Sequence, residues 1–469
     1  MRSENGEQKK YQPINPINPI NPINPLNPSN PSTLSPTEHP MKIQHLIIFF
    51  VLLTTIKLAA YGQNSPYLFD FYENGKVGFM DSTGRTIIAP RFDATRGFEQ
   101  GRAGVEIGNK WGFIDTKGNI VVQPQFDGVA DYQDSMVLVW NNTDEDWDNS
   151  IYGFVDWQGR IVRKPQFGMA HDFHDGLASV NVGDYENPLW GFIDRTGRMV
   201  IDAQYPEGSR FGQGLASVRD KSGKEGFIDR TGRMVIPPQY DGAGYFCHGL
   251  ALVRIGNDTS ARYGFIDTMG RYVVQPKYGY AFNFDEKGYA HVKTSAYLHL
   301  QAYKRPQDVG KRGIIDPQGN EVVPAIFESA SMPSEGLAAV QSGRKWGYVN
   351  LNRQYVVEPQ YDVAGDFSEG LACVSKDGKY GYIDRSGREV IPLQFYKAYL
   401  FSEGLACVNA GDYDNPQFGY IDHTGHFAIE PKFSQAFHFW HGLARVRWDG
   451  FEGYIDKSGR IVRQWPSEL

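Results

Sequence analysis

Short apolar segments alternate with polar turns along most of this chain, and the pattern predicts β-strands. Between Gly214 and Pro238, the segments LASV, GFID and MVIP are separated by RDKSGKE and RTGR. Segments of four or five residues that are rich in Val, Ile and aromatics, and bounded by Gly, Asp and Ser, are typical of strands. We therefore predict an antiparallel meander of three strands, which the proline ends because it cannot donate to a ladder.

The middle strand of this meander recurs along the chain at a nearly constant interval. The interval between Gly78 and Gly112 is the commonest one, and the longest lies between Gly264 and Gly313. A period of this size indicates a repeat architecture in which each unit buries its apolar face on the next. The glycine that marks the eleven copies is at Gly78, Gly112, Gly153, Gly191, Gly226, Gly264, Gly313, Gly347, Gly381, Gly419 and Gly453.

These units predict an all-β fold of three-stranded antiparallel meanders, linked by PQF or PQY segments and stacked as an elongated or superhelical solenoid. The alternative is one or two β-propellers, with a possible fourth strand in the linker. Eleven units exceed the four to eight blades that are usual for a propeller. If there were two smaller propellers, the longest interval would divide them, around residues 293–311.

An aspartate follows the marker glycine by three residues in ten of the eleven copies, and a second glycine follows three residues later. Asp at the first and Gly at the fourth position favour a type I turn, in which the carboxylate accepts backbone N–H bonds and Gly is left-handed. The remaining copy has Asn350 and Arg353 at these positions. We predict a turn here rather than a ladder of metal-binding carboxylates. The ten aspartates are Asp81, Asp115, Asp156, Asp194, Asp229, Asp267, Asp316, Asp384, Asp422 and Asp456.

A GLAxV segment precedes most copies of the middle strand. Its Ala and Val are more constant than its Leu and x positions, so we predict one tightly packed face and one permissive face, on which Cys373 and Cys407 lie. With Cys247 the chain has three cysteines, which is not a disulfide framework. Stacked sheets about 10 Å apart would keep Cys373 and Cys407 from forming a disulfide, whereas edge-to-edge pairing of adjacent units would allow one; we expect stacking and free thiols.

The GFIDxxG segments, the GLAxV segments and the aromatic-glycine pairs Trp111-Gly112, Trp190-Gly191 and Trp346-Gly347 together resemble the bacterial WG-repeat family. The resemblance covers residues 67–463, although several copies have Tyr, Phe or a non-aromatic residue before the glycine. It implies all-β modules of exported or multidomain proteins, mostly without an assigned function. It supplies no catalytic residues.

The segment before Gln63 differs from the repeats. Residues 1–40 contain the low-complexity NPI repeat, and we interpret them as an extension before the true start at Met41. Residues 41–62 have a lysine, an apolar run and small residues before Gln63, which is typical of a cleaved signal peptide. An uncleaved membrane anchor is the alternative, but the run is short for a span. We expect residues 63–469 to form the eleven-unit domain outside the cytoplasm, in the periplasm, at the cell surface or secreted.

Charge limits the possible partners. The segment 1–62 contains five basic and three acidic side chains, so the rest of the chain has nine more Asp and Glu than Lys and Arg. A negative surface argues against nucleic acid, whose binding relies on clustered Lys and Arg. We expect a protein or peptide partner, possible glycan binding, and membrane contact only through an uncleaved signal segment.

Two insertions are near copies of each other and are the candidate ligand-binding loops, since function concentrates on loops held by a rigid scaffold. Ordinary turn chemistry is the simpler explanation of their Asn-Pro. Their candidate residues are Asp184, Tyr185, Glu186, Asn187, Asp412, Tyr413, Asp414 and Asn415.

Other chemical signals are weak. Asp144, Asp146 and Asp148 have calcium-loop spacing, but the required Gly and Glu are missing. The HxxH pairs at 171/174, 423/426 and 438/441 lack a Glu-bearing helix. We predict no catalytic residue, no metal site and no cofactor, and a non-enzymatic interaction scaffold. The alternative is a cell-envelope glycan-binding module, which would need the aromatic row after the marker glycine to be exposed; we expect that row to be core.

Overall fold

The computed structural model describes residues 67–143, 150–183, 187–257, 260–294 and 310–467. Their strands form eleven antiparallel sheets, which we call blades 1 to 11 in chain order. Blades 2 to 11 have four strands each, paired in sequence order, and blade 1 has three described strands.

The strands have the following bounds. Blade 1 contains β1 Phe69–Glu73, β2 Lys76–Met80 and β3 Thr86–Phe92; blade 2 contains β4 Ala94–Glu99, β5 Arg102–Ile107, β6 Lys110–Asp115 and β7 Ile120–Phe126; blade 3 contains β8 Gly128–Gln133, β9 Met136–Asn142, β10 Ser150–Asp156 and β11 Ile161–Phe167; blade 4 contains β12 Met169–Ala170, β13 Leu177–Asn181, β14 Trp190–Asp194 and β15 Met199–Tyr205. Blade 5 contains β16 Glu207–Gly208, β17 Leu215–Arg219, β18 Glu225–Asp229 and β19 Met234–Tyr240; blade 6 contains β20 Gly242–Cys247, β21 Leu250–Ile255, β22 Arg262–Asp267 and β23 Tyr272–Tyr278; blade 7 contains β24 Tyr280–Ala281, β25 Ala290–Lys293, β26 Arg312–Ile315 and β27 Glu321–Phe327; blade 8 contains β28 Ser329–Ala330, β29 Leu337–Ser342, β30 Lys345–Asn350 and β31 Tyr355–Tyr361. Blade 9 contains β32 Val363–Ser368, β33 Leu371–Lys376, β34 Lys379–Asp384 and β35 Glu389–Phe395; blade 10 contains β36 Lys397–Ser402, β37 Leu405–Asn409, β38 Phe418–Ile421 and β39 Phe427–Phe433; blade 11 contains β40 Gln435–Ala436, β41 Leu443–Trp448, β42 Phe451–Asp456 and β43 Ile461–Pro466.

The blades close into an eleven-bladed β-propeller, so the predicted solenoid is wrong. β43 of blade 11 lies against β1 of blade 1, just as β39 lies against β41 and β31 against β33. Phe69, Phe71 and Met80 of blade 1 share a core cluster with Leu443, Tyr454 and Trp465 of blade 11. A solenoid would leave these two end faces apart and exposed, whereas ring closure buries both.

The predicted three-stranded unit is also incomplete, because each blade from 2 to 11 begins with a further strand. This first strand is short or bulged and has few apolar residues, which is why the pattern does not reveal it. First strands of neighbouring blades contact each other, as β4 and β8 or β32 and β36 do. Blades radiate from a centre, so this contact places the first strand at the inner edge and the fourth at the rim.

The PQF and PQY segments belong to the fourth strand and do not link units. In blade 2, Trp111 pairs with Phe126 and Phe113 pairs with Val122, so the fourth strand carries extra residues opposite Gly112. This bulge includes Pro124, whose missing N–H is tolerated there. A Cβ on Gly112 would lie 2.4 Å from the Val122 carbonyl oxygen. The marker glycine is therefore required by the close approach of the neighbouring backbone.

The predicted Asp turn is confirmed. In blade 1 the Asp81 carbonyl accepts a bond from Gly84 N–H at 3.0 Å, and its Oδ1 accepts bonds from the N–H groups of Thr83 and Arg85. Gly84 has a left-handed φ of 85°. In blade 8, Asn350 Oδ1 accepts the equivalent two bonds at 3.0 Å each, and Arg353 adopts a φ of 66°.

Aromatic pairs join successive blades. The ring after the marker glycine packs edge-on against a phenylalanine on the next blade's inner edge, as in Tyr382–Phe401 with 5.1 Å between centroids. Such pairs contribute roughly 0.5–1.5 kcal/mol beyond area burial. Blade 7 has Ile314 in the first position, and blade 8 correspondingly has a buried Pro333 instead of phenylalanine. Equivalent pairs, edge-on except for the tilted Phe265–Phe284 and Tyr420–Phe439, are Phe79–Phe98, Phe154–Phe173, Phe192–Phe211, Phe227–Phe246, Phe265–Phe284, Tyr348–Phe367 and Tyr420–Phe439.

The long interval between Gly264 and Gly313 does not divide the ring. It arises from an insertion within blade 7, between β25 and β26, and Asn64–Leu469 forms one unit. Blade 7 shares core clusters with blade 6, around Phe265 and Phe284, and with blade 8, around Ile314 and Val340.

The packed and permissive faces predicted for GLAxV are both buried, since every inner strand is covered by a blade on each side. Cys373 and Cys407 are 7% and 1% exposed, and both are free, as predicted. Each thiol donates to an inner-edge carbonyl of the following blade, Ala398 for Cys373 and Ala436 for Cys407. No helix among the described residues has the length and apolarity that a membrane span requires.

Candidate binding surface

Each blade is a meander, so its connections alternate between the two faces of the ring. The connections between second and third strands lie on the same face as those between one blade and the next, and we call this the loop face. On the opposite turn face lie the hairpins between first and second strands and the Asp turns.

Relative to the shortest blades, the insertions of more than one residue are all in connections of the loop face. Blades 1, 2, 8, 9 and 11 have two-residue turns there, such as Asp377-Gly378, both with positive φ. Blades 3 to 7 and blade 10 have longer connections, at residues 143–149, 182–189, 220–224, 256–261, 294–311 and 410–417. Five consecutive blades thus carry insertions, so one sector of one face differs from the rest of the ring.

The two candidate loops are in blade 4 and blade 10. Each is fixed by a buried asparagine at the end of the second strand. Asn409 Oδ1 accepts bonds from Gly411 N–H at 2.9 Å and Gln417 N–H at 2.8 Å. Asn181 Oδ1 does the same with Gly183 and Leu189, at 2.8 and 2.9 Å. The sequence resemblance of the two loops therefore reflects a shared scaffold.

The loop of blade 10 presents a single aromatic side chain. Asp412 Oδ1 accepts a bond from Asn415 N–H at 2.7 Å, which is an Asx-type turn and uses one of the predicted ligand oxygens internally. Between them Tyr413 is 81% exposed. Asp414 follows it, also exposed. The polar groups of this loop thus form a rigid turn that holds a phenol outward.

In blade 4, Asp184, Tyr185 and Glu186 lie outside the described residues, and Asn187 is described. The Asn187 carbonyl oxygen would be 2.1 Å from a Cβ on Gly183, and the same 2.2 Å approach occurs between Asn415 and Gly411. The two loops are not brought together, since blades 5 to 9 separate them on one side and blades 11 and 1 to 3 on the other.

The weaker candidates form no metal site in the part of the chain that is described. Asp144, Asp146 and Asp148 lie outside it. His171 contacts Ser179 Oγ at 2.8 Å and stacks on Trp190, while His174 Nε2 lies 3.1 Å from Arg210 Nη1. Over the described residues, no three His, Cys, Asp or Glu side chains are grouped to hold an ion.

The aromatic row after the marker glycine is core, as predicted. Its members range from Phe79 at 0% to Tyr454 at 8% exposure, so they offer no face to a sugar. The glycan alternative loses its main support. Large exposed side chains occur instead on the inner edge, which the sequence pattern did not reveal, at Phe282, Tyr399, Leu400 and Phe437.

Ion pairs cross the blade junctions on the loop face. A lysine before the marker glycine of one blade contacts an acid at the start of the next, as in Lys224–Asp241 at 2.6 Å. The acid also accepts an N–H bond from its own blade's turn, as Asp241 does from Gly256. The hydrogen bond from Lys224 is the main cause that lowers the pKa of Asp241. The other pairs, which have the same sequence separation, are Lys76–Asp93, Lys110–Asp127, Lys311–Glu328 and Lys345–Asp362.

A second set of contacts crosses the junctions on the turn face. At six junctions between described residues, the hairpin between first and second strands has an acidic or amide residue with positive φ, and its side chain accepts a bond from the glycine N–H of the next hairpin. Asp175 accepts from Gly214 at 2.7 Å, and Glu403 from Gly442 at 3.0 Å. Glu403 also pairs with Lys457 at 3.2 Å. These polar side chains of the turn face therefore connect neighbouring blades.

Comparison with solved structures gives similarity at low identity. A eukaryotic initiation factor structure is 10% identical with a TM-score of 0.41, covering 79% of this chain and 96% of that one. An uncharacterized protein of Listeria monocytogenes EGD-e is 13% identical with a TM-score of 0.30, covering 62% and 93%. BamB of Moraxella catarrhalis is 13% identical with a TM-score of 0.25, covering 61% and 87%. No curated protein sequence matches.

The family comparison covers most of the propeller. The model of the WG containing repeat matches ten times, and together the matches extend over more than half of the chain. The matched residues are 78–111, 111–142, 152–185, 190–224, 226–257, 263–295, 313–346, 346–380, 380–413 and 418–450. The chain therefore belongs to the WG containing repeat family, as its sequence motifs predicted.

Proposed function

We propose that this propeller is a non-enzymatic scaffold that binds a protein or peptide partner through the loop face, outside the cytoplasm. The observation that carries the proposal is the confinement of every insertion of more than one residue to that face, with five of the six in consecutive blades. Loops on a rigid scaffold are where binding residues concentrate. The leader-like segment at residues 41–62 supports export.

The loops have a fixed backbone and an exposed side chain, as a binding loop requires. In blade 10 the backbone donors near Asn409 are bound to its buried side chain, so the loop holds one shape before any partner arrives. A preformed loop loses little conformational entropy on binding. Tyr413 supplies a large side chain with few rotatable bonds, which is the kind of residue that contributes most at protein interfaces. The turn face lacks comparable insertions.

The test is loop replacement. Residues 182–189 and 410–417 would each be replaced by Asp-Gly, the two-residue turn of blade 9, which keeps the strand register. The matched control replaces Gly343-Arg344 of blade 8 by the same Asp-Gly. Partners from envelope extract would be identified by cross-linking and mass spectrometry with the unaltered protein, then purified and measured against each variant.

We expect the double replacement to weaken binding of a purified partner at least tenfold and the control to leave it unchanged. Equal affinity of all three proteins for every partner would contradict the proposal. Binding of glycans on an array, with no protein partner, would also contradict it and would favour the glycan alternative.

A further inference from the structure

Blade 1 differs from the other ten at its inner edge. Its β1 corresponds to a second strand, because Phe71 pairs with the marker Gly78 just as Val180 pairs with Gly191 in blade 4. Among the described residues, β1 has a hydrogen-bonded neighbour only on the β2 side, whereas every other second strand lies between two strands. Blades 2 to 11 each have a first strand at the inner edge, and blade 1 has no described strand at the corresponding position.

Backbone groups of β1 and of Leu68, the residue before it, face this position. In blade 4, Leu177 exchanges N–H and C=O bonds with His174, and the Ser179 carbonyl accepts a bond from His171 N–H at 3.0 Å. By register, Leu68 corresponds to Leu177 and Asp70 to Ser179. Since strand backbone groups alternate in direction, the N–H and C=O groups of Leu68 and Asp70 point toward the edge where a first strand would pair.

A buried hydroxyl also indicates the absent strand. In blades 8, 9 and 10 the tyrosine after the marker glycine donates to a carbonyl on the next blade's inner edge, as Tyr382 does to Tyr399 at 2.6 Å and Tyr420 to Phe437 at 2.7 Å. The equivalent Tyr454 of blade 11 faces blade 1. Its hydroxyl instead contacts the Asp70 carboxylate at 3.4 Å, which is long for such a bond. A strand carbonyl beside Tyr454 would give it the partner that its counterparts have.

The preceding residues of the chain do not suit the hairpin that would fill the edge. That hairpin uses two residues with positive φ, such as Glu403 at 53° and Gly404 at 90°. In the sequence, Pro66 is at the position that corresponds to Glu403, and a proline ring restricts φ to near −65°, which is incompatible with a positive φ. Blade 1 also replaces the alanine of GLAxV by Phe69, whose ring lies 5.4 Å from Tyr454. Phe69 thus takes the packing role that a first-strand phenylalanine has in other blades.

We propose that the inner edge of blade 1 accepts an extended strand from a partner protein, which completes the blade by antiparallel pairing with Leu68 and Asp70. The accepted segment would carry a small side chain where other blades have phenylalanine, because Phe69 occupies that space. Addition of a strand to an open edge gives affinity through backbone bonds, and side-chain size gives selectivity. The inference deepens the proposed scaffold function but uses a different surface from the loop face.

The probe is the peptide acetyl-KAYLAS-amide, copied from β36 with Phe401→Ala. Hydrogen exchange at the Leu68 and Asp70 amides would be followed in the purified protein with and without millimolar peptide. Two fusions serve as references. In the Glu fusion, KAYLASEG replaces the residues before Leu68 and can form the hairpin. In the Pro fusion, KAYLASPG replaces them; it keeps the proline and cannot form the hairpin. Both fusions lack Tyr67, so they differ only at the turn.

We expect the peptide to slow exchange at both amides about tenfold or more, since exchange reports local opening. The Glu fusion should show the same protection without peptide, and the Pro fusion should not. Unchanged exchange with peptide, while the Glu fusion is protected, would overturn the proposal. Protection that rises with protein concentration alone would assign the edge to a second copy and would also overturn it. Loop-replaced variants retain this edge, so failure of one proposal is distinguishable from failure of the other.

Discussion

The marker glycine should be intolerant of even one added carbon. In Gly112→Ala the new Cβ would lie 2.4 Å from the Val122 carbonyl oxygen and 2.7 Å from Pro124 N. Both are backbone atoms of the adjacent strand, so no side chain can move aside, and the two strands must separate at the bulge. Overpacking of this kind costs roughly 1–3 kcal/mol and occasionally more.

Gly168→Ala is the matched control. Gly168 has no positive φ, and its nearest neighbour to an added Cβ is the Gly183 carbonyl oxygen at 3.5 Å, an ordinary contact. Alanine at such a site should stabilise by about 0.4–1 kcal/mol, because it restricts the unfolded chain. The two substitutions are chemically identical and should change the free energy of unfolding in opposite directions.

Urea unfolding followed by tryptophan fluorescence measures both variants, and Trp111 reports on the substituted blade. We expect the midpoint of Gly112→Ala to fall and that of Gly168→Ala to stay or rise. Equal midpoints for Gly112→Ala and the unaltered protein would refute the view that close backbone approach selects this glycine.

Three further outcomes follow. Burial raises the thiol pKa of Cys373 and of Cys407 to about 12. Both thiols should therefore resist iodoacetamide in the native protein, and Cys247 should react first. Rapid labelling of either buried thiol, detected by mass spectrometry, would contradict the packing. Arg353→Gly should stabilise blade 8 by about 1 kcal/mol in urea unfolding, because glycine adopts a φ of 66° without steric cost, and a lower midpoint would be inconsistent with the turn. Hydrogen bonds from Ser458 first, and then from Arg460, lower the pKa of Asp456 from 3.8 to about 2. The ionised carboxylate should therefore stabilise the fold fully above about pH 4, and this stabilisation should be lost as the pH falls toward 2. In urea unfolding, Asp456→Asn should differ in stability from the unaltered protein at pH 5 and not at pH 2.

The sequence predicted the repeating parts of the fold well, because their causes are local. The turn at Asp81 and Gly84 follows from side-chain hydrogen bonding and left-handed φ, and both are properties of the residues themselves. The burial of the aromatic row follows from its apolar character. The free thiols followed from sheets packed face to face, which is also how blades pack.

Ring closure could not be predicted in the same way. The inner strand of blade 4 is only Met169–Ala170, too short to produce a pattern, so a further strand was offered only within the propeller alternative, in the linker. Closure depends on small rotations summed over eleven junctions, and no single residue encodes them. The contacts that cross the junctions include Lys224–Asp241, and the recurrence of this lysine-to-acid spacing at other junctions is a signal that the sequence does contain.

The candidate surface was found only in part. The near-copy loops were visible in the sequence, but their placement on one face with the other insertions depends on strand direction within each blade. The open edge of blade 1 depends on the absence of a described strand in register with Leu68 and Asp70, and that absence is visible only once the first strands of the other blades are known.

The distance between blade 1 and blade 11 tests the ring most directly. Nitroxide labels at exposed Arg85→Cys and Arg460→Cys mark corresponding turns of these two blades, and labels at Arg198→Cys and Arg233→Cys mark those of adjacent blades 4 and 5. The three native cysteines would first be replaced by serine. A closed propeller predicts the same short electron-electron distance for both pairs. A distance for the first pair that is several times that of the second would show an open arc and contradict the account.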